Sequence, residues 1–475
     1  MKEEGLNFDR YHGTMCKAAL AEYTRISGKL LAEKKSVFYI SQRKMPFAPC
    51  VGEDRLCNNL LNFGRLDHER MHFLEEDKAD LSAVAVLLQN DLLDFHIRCV
   101  TPGTIIFAKE PFADISGNFA ITQMLEVAFQ HAFDEPITVA GRALAMRLEA
   151  GDRWLSDFSL RRDGNLERAC DVAKYAYIGG FDDTSNMEAA FRLGINAVGT
   201  MAHYLVQAFQ DAAGEEKHFE QVAFERWLDA HPYGTTLLLD TISVRMGTIH
   251  AIRAAKSTPK RVAALKAVRI DSGNLILHAR WVRRMLDVNG FSDVKIILTS
   301  DLDAQAIRDI IKECLFVYGF GVGTKLAAEV DHVAGVIFKL CEIEGLPTLK
   351  CSETPGKETF PGRLQVWRYV DREGMFIKDL IACVNEGPPI CAGSAGVMPL
   401  LHNYYSKGIW CMKMPTVGEQ RSRVIRQLKH FRDIRNYPVE VSEQLKNLQK
   451  SIVSAIKNDG MGEEGVIMVE DKEAG

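Results

Sequence analysis

Three short apolar runs in the middle of the chain each end in an acidic residue. They read TTLLLD, LKAVRID and VKIILTSD, and they end at Asp240, Asp271 and Asp301. Each run has the length and the side-chain branching of a buried strand, and each is followed by a segment with helical periodicity. Strands and helices that alternate in this way predict parallel βαβ units, with the three acids at the carboxyl ends of the strands.

The residues that follow these units bear on the choice between a barrel and an open sheet. After the third helical segment come the glycine-rich GFGVGT, residues 319–324, and a further apolar run, GVIFKL, residues 335–340. A phosphate-binding loop late in a series of βα units, together with acids at the strand ends, is typical of barrels. We therefore expect an α/β fold with an irregular barrel over residues 131–345, which carries the active site.

The flanking regions have a different pattern. Residues 1–130 mix helical segments with short strands, which predicts an N-terminal α+β domain. Residues 346–475 begin with turn-rich polar sequence and form a separate C-terminal segment. Its last residues, KNDGMGEEGVIMVEDKEAG, are rich in acids, and we expect them to be partly disordered.

Composition and charge exclude several classes of protein. Of the 475 residues, 47% are hydrophobic and 25% are charged, as in an ordinary globular protein, and the formal net charge is −5. The chain therefore lacks the basic excess of a nucleic-acid-binding protein, and no apolar stretch is long enough to span a membrane. The eleven cysteines include no C-x-x-C pair, and MKEEGLNFDRYHG lacks the apolar core of a signal peptide. We expect free, buried thiols and a cytoplasmic location.

The motif GFGVGT is a candidate phosphate-binding element. Its spacing is not that of a Rossmann loop, and it lacks the lysine of a P-loop. Glycines at alternate positions nevertheless let backbone N–H groups approach a phosphate, with Gly321, Gly323 and the hydroxyl of Thr324 as the candidate contacts. The alternative is a tight turn between a strand and a helix.

The motif VRIDSGNL places polar residues at a strand end. Arg269 is suited to bind a carboxylate or a phosphate, since arginine is seldom buried without a partner. An internal salt bridge to Asp240, Asp271 or Asp301 is an equally good interpretation. Asp271 and Ser272 could contact ribose hydroxyls or a metal ion, or they could cap the following helix.

Two further segments contain candidate side chains. His203 in NAVGTMAHYLV could accept a phosphoryl group or act as an acid or a base, or it could be a satisfied core histidine. Arg161 in SLRRDG could bind an anion, or it could belong to a surface charge pair.

Taken together, the motifs resemble one family. DRYHGTM, YIGGFDDTSN, GTMAH, LLLDT, VRIDSGNL, SDLD, GFGVGT, GVIFKL and PGRLQVWR occur along the chain. In this order they are similar to the motifs of nicotinate phosphoribosyltransferases, from about Asp9 to around Tyr437. The resemblance implies the irregular α/β barrel of the type II phosphoribosyltransferases, with an N-terminal domain and a C-terminal segment that packs beside the barrel.

The resemblance also implies a reaction. Members of this family join nicotinate to the ribose of phosphoribosyl pyrophosphate (PRPP), which yields nicotinate mononucleotide and pyrophosphate in NAD salvage. They couple this transfer to ATP hydrolysis through a phosphohistidine, and they commonly form dimers. ATP is therefore expected as a co-substrate, Mg²⁺ as a cofactor and a second copy of the chain as a partner. The resemblance does not assign the residues that bind the metal ion.

The resemblance assigns roles to individual residues. His203 matches the phosphohistidine, and Tyr11, Thr200 and Arg269 match contacts to nicotinate. The predicted catalytic residues are His203, Asp271 and Asp301, and the predicted substrate-binding residues are Tyr11, Arg161, Thr200, Arg269, Ser272, Gly321, Gly323 and Thr324.

The chain departs from the family pattern at several positions. The family usually has leucine at the position of Gly13, glycine at the positions of Asp183 and Ser300, and aspartate at the position of Asn274. These differences keep two alternatives open. One is a phosphoribosyltransferase that acts on nicotinamide or another base, and the other is a divergent paralogue without catalytic activity.

Overall fold

The structure is a computed structural model of the 475-residue chain. It describes residues 6–21, 30–77, 81, 84, 94–212, 218–352 and 358–461. The part of the acidic C-terminal tail beyond residue 461, for which we predict disorder, lies outside the described residues.

The described residues form the following strands and helices. The strands are β1 Lys35–Gln42, β2 Phe47–Pro49, β3 Phe95–Val100, β4 Ile105–Phe107, β5 Pro111–Asn118, β6 Trp154–Asp157, β7 Asp183–Thr184, β8 Thr235–Leu238, β9 Leu265–Ile270, β10 Lys295–Thr299, β11 Gly319–Val322, β12 Val336–Ile343, β13 Leu346–Pro347, β14 Leu364–Val370, β15 Phe376–Cys383, β16 Gly396–Pro399, β17 Leu401–Ser406, β18 Ile409–Trp410 and β19 Val439–Val441. The α-helices are α1 Arg10–Ala21, α2 Glu53–Asn62, α3 His68–Glu76, α4 Phe119–Met124, α5 Glu126–Ala150, α6 Leu166–Gly179, α7 Met187–Leu193, α8 His203–Gln207, α9 Phe219–Ala230, α10 Val244–Lys256, α11 Pro259–Ala264, α12 Leu275–Val288, α13 Ala304–Glu313, α14 Thr324–Ala327, α15 Val417–Leu428 and α16 Glu443–Met461.

The chain divides into two compact units. The first contains Met1–Glu135, Ala334–Pro415 and Arg426–Gly475, and the second contains Pro136–Val333 and Thr416–Ile425. The first unit is built on a seven-stranded antiparallel sheet in the order β13-β12-β1-β5-β3-β17-β18. A four-stranded sheet, β16-β14-β15-β19, and the β2-β4 pair complete its strands among the described residues.

The second unit contains the predicted parallel sheet. Its six strands lie in the order β7-β6-β11-β10-β9-β8, and the neighbouring strands are parallel. The central residues of the strands are fully buried, among them Leu238, Val268, Leu298 and Phe320. The three predicted strand–helix units are confirmed as β8-α10, β9-α12 and β10-α13. The sheet begins at β7 and ends at β8, so the predicted barrel takes an incomplete, irregular form.

The strand predicted at residues 335–340 exists, but it does not continue the parallel sheet. It is β12, which pairs antiparallel with β1 in the first unit. Buried and partly buried residues are mixed along β12, whereas β10 and β11 are buried almost throughout. This difference is expected, because a parallel strand is covered on both faces and an antiparallel strand often is covered on one.

Two further findings concern the helices and the cysteines. In the described part of the chain, no helix combines the length and the apolar character needed to cross a membrane. All eleven cysteines are free, as the absence of paired spacing predicts, but the expectation that the thiols are buried is wrong for Cys351 and Cys411, which are exposed.

Candidate active site

The strand-end acids of the second unit lie where parallel strands predict them. Asp271 is the first residue after β9. Asp240 is the second residue after β8, and Asp301 is the second residue after β10. The carboxyl ends of neighbouring parallel strands meet at one edge of a sheet, and ligand sites of such folds lie at that edge. Ser300, where the family has glycine, has a φ of 105°, a conformation that glycine adopts with less strain.

His203 begins the short helix α8 and lies beside two of these acids. Its Nδ1 is 3.1 Å from Thr241 Oγ1, and its Nε2 is 4.0 Å from Asp240 Oδ1 and 3.8 Å from Asp271 Oδ2. The side chain is 38% exposed, so a ligand can reach the ring. A ring held at one nitrogen and open to solvent suits an acid, a base or a nucleophile better than core packing.

Arg269 lies in β9, one residue before the strand ends, and its guanidinium contacts neutral oxygens. Nη1 donates to Thr200 Oγ1 at 2.6 Å, and Nη2 donates to the carbonyl of Met201 at 3.2 Å. Its Nε is buried without a hydrogen-bond partner among the described residues. Burial lowers the pKa of Arg269, and the charges of Asp271 and Asp240 oppose this shift. The side chain thus retains capacity for an anionic ligand, which is one of its two sequence-based interpretations.

The neighbouring acids are themselves held in place. Ser272 Oγ donates to Asp240 Oδ2, and Thr299 Oγ1 donates to Asp271 Oδ1 at 2.6 Å. Asp240 Oδ1 is buried and accepts no hydrogen bond from the described residues. Ser272 therefore orients an acid, and the alternative that it caps the next helix is wrong, because Asn274 provides that cap through Leu277 N–H.

Several predicted contact residues lie on loops or at the start of a helix at these strand ends. Arg161 lies in the 3-10 turn that follows β6, and its charge contributes to the lowered pKa of Arg269. Asp301 and Thr324 are exposed, and Gly323 immediately precedes α14. Exposed polar groups at this edge are available to a phosphorylated ligand.

Gly321 has a packing reason for being glycine. It lies in β11 rather than in a loop, and a Cβ atom there would come within 2.5 Å of the Phe158 ring and 2.7 Å of Thr299 Cγ2. Contacts this short force neighbouring groups to move. The first part of GFGVGT is therefore a buried strand, which corrects the expectation of a loop over its whole length.

Replacement of Gly321 by Ala is expected to lower the free energy of unfolding by about 1–3 kcal/mol, because the methyl group overpacks the Phe158 contact. Urea unfolding followed by circular dichroism measures this loss. Gly164→Ala is the matched control, since nothing lies within 4 Å of a Cβ at Gly164. Equal stability of both variants would contradict the packing role.

Tyr11 belongs to the first unit. It lies on α1, about half exposed, and its hydroxyl donates to Glu126 at 3.2 Å. Burial, followed by the Glu126 charge, raises the pKa of Tyr11 to about 12. The adjacent Gly13, where the family has leucine, lies against the Leu81 side chain, 2.9 Å from the position of a Cβ. Leu81 thus occupies space that a larger residue at position 13 would need.

The sequence-based list of site residues misses three groups of the second unit. Asp240 and Thr241 hold or face His203, and both are contained in LLLDT directly after a predicted strand. Asp157, which ends β6, is fully buried and accepts from Ser159 N–H and Thr184 Oγ1. Burial raises the pKa of Asp157. Its position after the short apolar run at Trp154 is the signal that could have identified it.

Two departures from the family pattern have structural explanations. Asn274 Oδ1 accepts from Leu277 N–H at 3.0 Å, so it caps α12 as an aspartate would. Asp183 is buried at the start of β7 and accepts from the Trp154 indole at 2.6 Å, and burial raises its pKa. Its side chain is therefore engaged in the sheet.

The donor set at the strand ends fits a divalent cation. Asp240 and Asp271 each have a carboxylate oxygen within 4.0 Å of the same histidine nitrogen, and that oxygen of Asp240 is without a hydrogen bond among the described residues. Carboxylate oxygens are the ligands that Mg²⁺ takes, usually together with substrate oxygens. These two acids are the side chains that would hold such an ion.

Comparisons with known proteins give a consistent result. Residues 154–382 match the model of the nicotinate phosphoribosyltransferase (NAPRTase) family. The nicotinate phosphoribosyltransferase pncB2 of Mycobacterium tuberculosis is 31% identical over 400 residues, covering 83% of this chain and 81% of the relative. The nicotinate phosphoribosyltransferase of Bacillus subtilis is 29% identical over 445 residues, covering 86% and 89%.

Solved structures show the same fold. The human nicotinic acid phosphoribosyltransferase superposes with a TM-score of 0.75 at 24% identity, covering 94% of this chain and 99% of that one. A protein of Pyrococcus furiosus described as a nicotinate-nucleotide pyrophosphorylase superposes with a TM-score of 0.66, also at 24% identity, covering 89% and 94%. The irregular α/β barrel is therefore confirmed.

Proposed function

The chain belongs to the nicotinate phosphoribosyltransferase family of enzymes, and we propose that it transfers the phosphoribosyl group of PRPP to nicotinate. The products are nicotinate mononucleotide and pyrophosphate, which places the enzyme in NAD biosynthesis. We further propose that ATP hydrolysis is coupled to this transfer through phosphorylation of His203, that Mg²⁺ is the cofactor, and that the enzyme is a cytoplasmic homodimer.

The observation that carries the proposal is that the Arg269 guanidinium is buried without a directly bonded carboxylate. Its guanidinium is largely buried at the strand-end edge and hydrogen-bonds neutral oxygens of Thr200 and Met201. A nicotinate carboxylate would add a counter-charge that contacts the guanidinium directly, through a charge-assisted hydrogen bond. Nicotinamide carries no such charge, so the arrangement favours the acid over the amide.

The surroundings of His203 support the coupling to ATP. Thr241 restricts the ring at Nδ1, while Nε2 faces Asp240 and Asp271. A neutral imidazole nitrogen is a nucleophile for a phosphoryl group, and nearby carboxylates stabilise the imidazolium form when the ring carries positive charge. Asp240 and Asp271 would also hold the Mg²⁺ ion, which when bound supplies charge stabilisation for phosphate oxygens.

PRPP would lie over the exposed loops at the strand ends. Cleavage of its anomeric C–O bond develops positive charge on the ribose and negative charge on pyrophosphate. Arg161 and the backbone N–H groups around Gly323 and Thr324 are suited to the negative charge, and Asp301 is a candidate for the positive side.

Replacement of Thr241 by Val is expected to slow the ATP-dependent rate up to about tenfold, because one hydrogen bond of 0.5–1.5 kcal/mol no longer orients the His203 ring. Steady-state ATP hydrolysis measures the effect. Thr241→Ser retains the hydroxyl and should restore the rate. If the Thr241→Val and Thr241→Ser variants are equally slow, the rate depends on the shape of the Thr241 side chain, and the proposal that its hydroxyl orients the His203 ring is wrong.

The test of the proposed function is a product assay on the purified chain. PRPP is supplied with nicotinate or with nicotinamide, each with and without ATP, and the mononucleotide formed is quantified. We expect product from nicotinate and a clear increase with ATP. Product from nicotinamide alone would identify an enzyme for the amide, and absence of product from either base would favour a non-catalytic paralogue.

A further inference from the structure

A second cluster of metal-binding side chains lies between helices α9 and α10 of the second unit. It consists of His218, Glu220 and His250, and one ligand atom from each lies within 4.8 Å of the other two. We propose that this cluster binds a divalent transition-metal ion, and that Zn²⁺ is the ion that its donor set fits best.

The three side chains already contact one another. His250 Nδ1 lies 2.7 Å from Glu220 Oε2, and both side chains are buried. The His218 ring stacks on the His250 ring with centroids 4.5 Å apart. Two imidazoles and one carboxylate therefore share one small volume.

The carboxylate of Glu220 has a buried oxygen that a cation would satisfy. Its side chain is fully buried, and Oε1 has no hydrogen-bond partner among the described residues. A buried carboxylate oxygen without a partner is costly. A bound cation would satisfy the free oxygen and compensate the charge.

The donor types select the ion. Two histidine nitrogens and one glutamate oxygen form a three-ligand set that Zn²⁺ uses with a fourth, open position. Mg²⁺ and Ca²⁺ prefer sites made of oxygen ligands, so they fit this cluster poorly. His218 is partly exposed, which gives an ion a path from solvent and a place for a water ligand.

Binding would rearrange two hydrogen bonds. His250 Nδ1 faces Glu220, and His218 Nδ1 accepts from Glu220 N–H at 3.2 Å. The ligand atoms would close onto the ion at about 2.0–2.2 Å, and each neutral imidazole would bind through its unprotonated nitrogen while its proton stays on the other ring nitrogen.

Zinc binding to the purified full-length chain, freed of metal with a chelator, tests the proposal by calorimetric titration. We expect His250→Gln and Glu220→Gln to lose one equivalent of bound Zn²⁺ or to bind it at least tenfold more weakly. His231→Gln is the matched control, because His231 is exposed beyond the end of α9 and hydrogen-bonds Trp227 O. The His231→Gln variant should bind Zn²⁺ with the stoichiometry and affinity of the unchanged protein.

Two measurements keep the result independent of folding and of other ligands. His218 is only partly buried, so the His218→Gln variant should show the same loss of zinc binding even if a variant at a buried position fails to fold. Co²⁺ bound in place of Zn²⁺ should lack a thiolate charge-transfer band, which separates this site from the buried group Cys50, Glu53 and Cys99. Identical zinc binding by His218→Gln and the unchanged protein, or a thiolate band, would overturn the proposal. None of these readouts depends on phosphoribosyl transfer.

Discussion

Replacement of His203 by Asn is expected to abolish ATP hydrolysis and the stimulation of phosphoribosyl transfer by ATP. Asn can still contact Thr241, but it has no imidazole nitrogen to accept a phosphoryl group. We expect the ATP-dependent rate to fall about a hundredfold or more, as when other catalytic nucleophiles are removed. A slow transfer without ATP should remain, because Arg269 and the strand-end acids are unchanged. Initial rates with and without ATP measure both effects.

A matched control separates this role from a general effect of losing a histidine. His231 is exposed in the turn before β8, at the amino end of that strand, whereas Asp240 beside His203 follows its carboxyl end. His231→Asn should retain full ATP stimulation. If His203→Asn also retains it, the phosphoryl acceptor is not His203, and the ring serves only to pack or to orient its neighbours.

The parallel sheet is the part of the fold that the sequence predicts best. Most residues of β9 and β10 and the second half of β8 are buried, so each strand appears as a short, mainly apolar run in the sequence. The acids after them lie together because parallel strands end at one edge. Strand β12 looks similar as a short apolar run, and its partner β1 is distant in sequence. Which strands pair is decided by tertiary packing, and no local pattern contains that information.

The glycine motif shows a second limit of the sequence. Gly319 and Gly321 lie two residues apart in β11, so their missing side chains would point to the same side. On that side lie Trp154 and Phe158. Alternate glycines therefore arise from close packing as readily as from phosphate binding, and the spacing alone cannot distinguish them.

The sequence also leaves the contacts of Arg269 undecided between a bound anion and an internal salt bridge. The position of Arg269 near the end of β9 predicts that its side chain reaches the edge of the sheet. The residues that it contacts there belong to the irregular segment before α8. That segment, which contains Thr200, has no helical or strand periodicity and is tied to the sheet by a bridge between Thr184 and Ala197. Only the structure shows that Arg269 contacts Thr200 and the carbonyl of Met201.

Replacement of Arg269 by Ala is expected to weaken the use of nicotinate and to narrow the preference for nicotinate over nicotinamide. Loss of one partner of a desolvated charge pair costs about 2–5 kcal/mol, because the other charge stays unpaired. At 1.4 kcal/mol per factor of ten, kcat/KM for nicotinate should fall about 30-fold or more. Nicotinamide has no carboxylate, so its kcat/KM should change less. Measuring kcat/KM for both bases gives the ratio directly.

Two further variants decide whether the effect belongs to the charge. Arg284→Ala removes an arginine from the exposed face of α12 and should leave the preference unchanged. Arg269→Lys keeps the positive charge but loses the forked geometry, so it should retain part of the preference. Thermal unfolding of each variant shows whether the fold is intact. If folded Arg269→Ala keeps the full preference of the unchanged enzyme, Arg269 does not contact the carboxylate, and its bonds to Thr200 and Met201 only support the loop before His203.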